Sequence, residues 1–151
     1  MVEYKRASRD DVNMLMSIRL EMLREVNHLN EEDQFPDDFI SESRKYFLEG
    51  DQETVLAICG GKAVGCASIC YIWMMPTYSH PAGKRAHLMN VYTSREYRRQ
   101  GIARAMVNRL IEDAWKRGVT EISLDATSLG RLLYKELGFA ASDECMVLTR
   151  A

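Results

Sequence analysis

The segment Arg98-Arg99-Gln100-Gly101-Ile102-Ala103-Arg104 sets arginines and small residues at the head of an apolar stripe. That stripe, Met106, Val107, Leu110, Ile111, Ala114 and Trp115, has helical spacing. The first N–H groups of a helix have no partner inside it, and its dipole favours an anion there. Gly101 admits a bulky ligand close to the backbone, Ala103 keeps the next position small, and Arg98, Arg99 and Arg104 add positive charge. This combination suits phosphate. The Gly-Lys-Ser/Thr ending of a P-loop is missing, and one glycine is too few for a dinucleotide fingerprint. The plain alternative is a basic helix entry facing solvent. A second group surrounds Tyr134. Leu129, Leu133 and Leu137 form the buried stripe of a short helix, and Tyr134 is offset from it, four residues after Gly130. A glycine inside a helix costs about 1 kcal/mol against alanine, which is explained if something packs closely on it. Tyr134 either places its hydroxyl beside a ligand or anchors the helix as a half-buried ring.

The elements that must carry these groups read as a mixed α/β chain. Val2 to Arg6 is a short strand, and Ser8 to Asp11 offers helix caps before an amphipathic helix through Val26. An acidic stretch from Glu31 to Asp38 leads into a second helix that starts near Pro36 and stops at Gly50. Glu53 to Cys59 and Lys62 to Trp73 are strands joined by the hairpin signal Gly60-Gly61. After an irregular loop, Arg85 to Thr93 is a strand and Ser94 to Gln100 a charged connection. The long helix runs from about Gly101 to Arg117, followed by a strand at Val119 to Asp125. A short helix at Ser128 to Leu137 and an extended segment at Phe139 to Thr149 complete the order β-α-α-β-β-β-α-β-α-β.

Composition narrows the function classes. The 151 residues are 46% hydrophobic and 28% charged, values of one folded domain, expected over residues 1–151. Twenty basic against 22 acidic residues leave a charge of −2, which gives no general attraction to nucleic acid or membrane. No apolar run reaches the ~18 residues of a membrane span, and the start, Met1-Val2-Glu3-Tyr4-Lys5-Arg6, carries no signal-peptide stretch. A cytoplasmic protein is expected. Cys59, Cys66, Cys70 and Cys145 read as small hydrophobes in a reducing compartment, and the scattered His28, His80 and His87 predict no metal site.

Together the segments resemble the GCN5-related N-acetyltransferase (GNAT) family. Arg98-x-x-Gly101-x-Ala103 matches that family's Gln/Arg-x-x-Gly-x-Gly/Ala signature. Leu133-Tyr134-Lys135-Glu136-Leu137-Gly138-Phe139 matches its terminal Leu-Tyr-x-x-x-Gly-Phe segment, and Asn90-Val91-Tyr92-Thr93 is similar to its acyl-binding strand. Thr127 stands where many members have asparagine, Gly130 where alanine is common, and Thr93-Ser94-Arg95 where Val-x-Pro is frequent. The short tail after Phe139 leaves the seventh strand stunted, absent or supplied by a partner.

The resemblance implies a mixed sheet of six to seven strands flanked by about four helices. It implies acetyl-CoA as donor, a primary amine of a small molecule or peptide as acceptor, and direct transfer without an acyl-enzyme. The strands near Val91 and at Val119 to Asp125 are then expected to splay around the pantetheine, with backbone N–H groups of Val91, Tyr92 and Thr93 on the thioester carbonyl. Arg98, Arg99, Gln100, Gly101, Ile102, Ala103 and Arg104 would hold the pyrophosphate, with Thr127 nearby, and Tyr134 would protonate the departing thiolate. For the acceptor's proton, Glu31, Glu32 and His87 stay open as candidates. The acceptor is expected between the first two helices and the loop carrying Trp73 and Tyr78; the acidic run attracts a cationic amine or is simply solvated. A homodimer paired near Cys145 to Thr149 is a further implication. The alternative function is an acyl-CoA-binding regulatory module without catalysis.

Overall fold

The computed structural model describes residues 1–150. In chain order its elements are β1 (Glu3–Arg6), α1 (Val12–Val26), α2 (Asp37–Glu49), β2 (Gln52–Cys59), β3 (Lys62–Trp73), β4 (Lys84–Thr93), α3 (Ile102–Lys116), β5 (Glu121–Leu124) and α4 (Arg131–Glu136). Local chemistry accounts for several boundaries. At the entry to α1 the Ser8 amide donates to the Asp11 carboxylate at 2.8 Å, and the Asp11 amide returns to the Ser8 carbonyl at 3.0 Å. Asp37 and Asp38 occupy the first turn of α2, where the helix dipole favours negative charge. The strands form one sheet in the order β1-β2-β3-β4-β5, antiparallel except for the parallel pair β4–β5.

The two faces of the sheet bury different helices. On one, α3 lays Ile102, Met106, Val107, Leu110 and Ala114 against Val55, Ala67, Ile69 and Leu88. Each large side chain buried there contributes on the order of 1.5–3 kcal/mol, which fixes the start of α3 against the sheet. Tyr134, Leu137 and Phe139 pack at the edge of this cluster. On the other face, Leu15 and Ile18 of α1 cover Leu56, Cys66 and Tyr92, with Phe47 of α2 at the margin.

β4 changes its facing partway along. Ser68 pairs with Met89 and Cys66 with Tyr92, so two steps on β3 oppose three on β4. The extra residue sits at Asn90, whose φ of +59° is left-handed. In consequence Leu88 and Val91, three apart, both pack on the α3 side. The β5 pairing ends at Leu88–Leu124 while β4 continues to Thr93. Beyond that point the polar groups on the β5 side of β4 have no ladder partner.

The mixed α/β class stands, with two corrections. Among the described residues there are five strands, not six or seven. The extended segment expected at Phe139 to Thr149 joins no sheet; it has no regular secondary structure, and Met146, Val147 and Leu148 are exposed. Its apolar residues are contiguous rather than alternating, so pairing would leave half of them facing water. The last helix also starts at Arg131 rather than Ser128, because Thr127 to Gly130 forms a turn closed by the Gly130 amide on the Thr127 carbonyl at 3.2 Å. No helix among the described residues is long and apolar enough to cross a membrane.

Candidate active site

The entry to α3 is built from backbone. Arg99 and Gly101 are both left-handed, at φ +63° and +78°. A turn of this kind concentrates N–H groups on one concave side. The first intrahelical bond is donated by Ala105 to Gly101 at 3.0 Å, so the amides of Ile102, Ala103 and Arg104 precede it. A Cβ on Gly101 would meet no atom within 4 Å: the space in front of it is open. Arg99 and Gln100 are exposed at this mouth. The flanking arginines are tied elsewhere. Arg98 pairs with Glu25 of α1 and donates from Nε to the Thr93 carbonyl at 2.8 Å. Arg104 pairs with Glu136 of α4.

Thr93, at the end of β4, has a buried hydroxyl without a hydrogen-bond partner among the described residues. Val91 is half-buried toward α3, and Tyr92 is buried toward α1. Tyr134 lies in the half-molecule of α3 and α4. A Cβ on Gly130 would come within 2.8 Å of its ring, which gives the glycine its packing reason. The Tyr134 ring meets Phe139 edge-on at 5.9 Å. Burial pushes the phenol above its ordinary pKa, so it keeps its proton at neutral pH. Thr127 caps the turn before α4, its Oγ1 accepting from the Gly130 amide at 3.4 Å.

On the opposite face, α1, α2, β2, β3 and β4 line an open cavity of about 290 Å³. Its polar floor is one connected chain. Arg19 donates to Asn90 Oδ1 at 3.1 Å, and Asn90 Nδ2 donates to Ser68 Oγ at 3.0 Å. Ser68 Oγ lies 2.7 Å from Thr54 Oγ1, which donates to Gln52 Oε1 at 2.7 Å; Gln52 Nε2 donates to the Phe47 carbonyl at 3.2 Å. Thr54 has one proton and gives it to Gln52, so Ser68 must donate to Thr54. Every bond in the chain therefore runs the same way, away from Arg19. The Cys66 thiol donates to the Asn90 carbonyl at 3.2 Å, satisfying the bulge from behind. Phe39, Phe47 and Met89 supply apolar wall, and Glu42, Tyr46 and Cys70 also line it.

The cavity lies between the first two helices and the sheet, and of its lining residues the sequence named Asn90, in the acyl-binding strand, and Cys70, as a small hydrophobe. The residues expected to meet the acceptor do not line it. Glu31 and Glu32 occupy an exposed turn after α1. Trp73 and Tyr78 protrude at the β3–β4 loop, 86% and 102% exposed. His87 is on β4 but is held by Ser123 Oγ at 2.7 Å and by Asp125 at 3.6 Å.

A left-handed helix entry that opens to solvent, a β4 edge that runs on past the end of β5 and an open cavity on the other face are set on one mixed α/β fold. The acetyltransferase (GNAT) family profile matches residues 20–139, and the chain belongs to that family. The fold is shared with a crystal structure of a predicted acetyltransferase with acetyl-CoA from Clostridium acetobutylicum. The match is 31% identical, covers 99% of this chain and 96% of that one, and has a TM-score of 0.86. A GCN5-related N-acetyltransferase from Ralstonia eutropha JMP134 shares the fold at 24% identity and a TM-score of 0.81, over 99% of both chains. Human N-acetyltransferase 8 is 36% identical over 59 residues, 37% of this chain but only 26% of the human protein.

Proposed function

We propose that the protein is an N-acetyltransferase that moves an acetyl group from acetyl-CoA directly to a primary amine. The observation that carries this is the open, left-handed turn at Gly101, backed by amides without intrahelical partners. The residues fit the co-substrate: Arg99 to Arg104 would hold the pyrophosphate, and the β4 edge from Met89 to Thr93 would receive the acyl arm. Bound there, acetyl-CoA supplies an activated thioester. N–H groups of β4 that have no β5 partner donate to the thioester carbonyl as charge develops on it. The acceptor nitrogen forms the new C–N bond, the C–S bond breaks, and Tyr134 donates its hydroxyl proton to the sulfur. The proton released from nitrogen passes to solvent, and solvent returns one to the Tyr134 phenolate. Because the Tyr134 pKa is raised, the donor form stays fully populated at neutral pH, at the cost of a weaker driving force for each transfer.

The same proposal covers setting. Four unpaired cysteines fit the reducing cytoplasm. The short β5 has a free outer edge, which a second copy would cover in a homodimer. Light scattering at tens of micromolar tests this; a monomeric mass there removes it. The central test is calorimetry with acetyl-CoA followed by thiol release with a panel of amines. Binding without turnover on any amine would leave a CoA-binding module. Absence of binding would end the acetyltransferase reading.

A further inference from the structure

Arg19 is the cation of the cavity floor, and its charge is unanswered. A guanidinium has five N–H donors; the hydrogen bond described for Arg19 goes to Asn90 Oδ1, a neutral amide. It forms no ion pair among the described residues, and the groups named beside it are the thiols of Cys66 and Cys70, of which Cys66 is kept neutral by burial. Burial lowers its pKa, yet arginine stays charged in proteins. The polar groups around it cannot supply the missing anion. Asn90, Ser68, Thr54 and Gln52 are already joined head to tail, and that chain points its acceptor end at Arg19 through one oxygen only. Glu42 lines the same cavity but pairs with no cation among the described residues. A half-buried guanidinium that opens on the cavity without a carboxylate partner is placed to pair with an anionic ligand group.

Resting on the acetyltransferase reading, we infer that the cavity takes an amine acceptor that also carries a carboxylate, seated on Arg19, with an apolar group against Phe39, Phe47 and Met89: an apolar amino acid. The volume agrees with a molecule of that size, since a cavity of about 290 Å³ is at the small end of ligand sites. Asn90 explains how the two sites meet. It orients Arg19 and is the bulge residue of the strand whose next residues, Val91 to Thr93, run along the acyl side. An acceptor anchored at Arg19 is therefore adjacent to the strand along which the acyl arm would lie.

The test compares L-phenylalanine and L-leucine with their amides as acceptors. The amide's amine is less basic and more available at neutral pH, so a preference for the acid runs against intrinsic reactivity. The expected result is kcat/KM at least 10-fold higher for the acids in the wild type. Arg19→Gln should lower kcat/KM for the acids roughly 10- to 100-fold, the size of one charge-assisted pair. The loss for the amides should be at least about 5-fold smaller than for the acids, and Arg19→Lys should lose less than Arg19→Gln with the acids. Equal use of acid and amide by the wild type overturns the inference, and so does an Arg19→Gln loss that is the same for both. Calorimetry with N-acetyl-phenylalanine and its amide, in the presence of CoA, reads the cavity without turnover. If no amine is acetylated the enzymatic reading fails; equal binding of these two products overturns the carboxylate seat independently.

Discussion

The entry to α3 and the cavity beneath α1 and α2 are built in opposite ways. The first is made of backbone: two left-handed residues and a row of helix-start amides, held in place by the buried face of α3. Its flanking arginines brace it against α1 and α4 through Glu25 and Glu136. The second is made of side chains drawn from α1, α2, β2, β3 and β4, and it works only if all of them arrive together. A backbone site tolerates change in every side chain except one that blocks it. A side-chain network fails at any link, and can be retuned at any link.

The largest effect expected belongs to a residue of neither wall, Tyr134 on the α3 side of the sheet. Tyr134→Phe keeps the ring and its edge contact with Phe139 and removes the donor. Turnover should fall by roughly 10²–10⁴ with acetyl-CoA affinity unchanged in calorimetry. Wild-type turnover in this variant would make Tyr134 a packing residue. Next, Gly101→Val places a branched side chain in the open mouth and strains a left-handed turn. Losing two charge-assisted hydrogen bonds at about 1.5 kcal/mol each predicts a Kd for acetyl-CoA roughly 10²-fold weaker. An unchanged Kd would mean that the cradle is not where the phosphates bind.

Asn90 separates backbone from side chain within the second site. Asn90→Gly keeps the left-handed bulge and loses the links to Arg19 and Ser68, for a cost of about 1 kcal/mol. Asn90→Val loses both the links and the conformation and should cost about 2–3 kcal/mol in urea unfolding. Equal losses would show that the bulge does not depend on its φ. The smallest effect is on alkaline stability. Burial, its leading cause, raises the Cys66 thiol from 9.0 to about 12, and burial also raises Tyr71 from 10.0 to about 12. The folded chain holds these protons more tightly than the unfolded one. Stability is therefore full below about pH 9 and declines as pH rises from there toward 12. Cys66→Ala should flatten the fall in urea midpoint between pH 8 and 10.5.

The contrast also explains what could be read in advance. The cradle is contiguous in sequence, so arginine, glycine and alanine before an apolar stripe suffice to find it. The cavity joins residues 19, 52, 54, 68 and 90, and no local spacing connects them. Two signals existed. Thr54 and Ser68 are polar residues inside otherwise apolar strands. Between Leu88 and Val91 the inward parity of β4 slips by one, the mark of a bulge. Read as an unbroken strand, Arg85 to Thr93 hides both the bulge and the asparagine in it. The tail failed for another reason: an apolar run names a strand only if a sheet edge receives it.

The thiol that closes the bulge from behind also gives the protein an internal clock. Cys66 is fully buried, and its raised pKa leaves almost no thiolate at neutral pH. A maleimide or iodoacetamide can therefore reach it only when the sheet opens around Asn90. Cys145 is exposed, and Cys70 lines the cavity. In the native protein alkylation should mark Cys145 first, slow at Cys70 when the cavity is filled, and reach Cys66 only at the rate of global opening. In a Cys59→Ala variant, which removes the half-buried fourth thiol, three masses in one spectrum would then separate surface access, cavity occupancy and unfolding in a single sample.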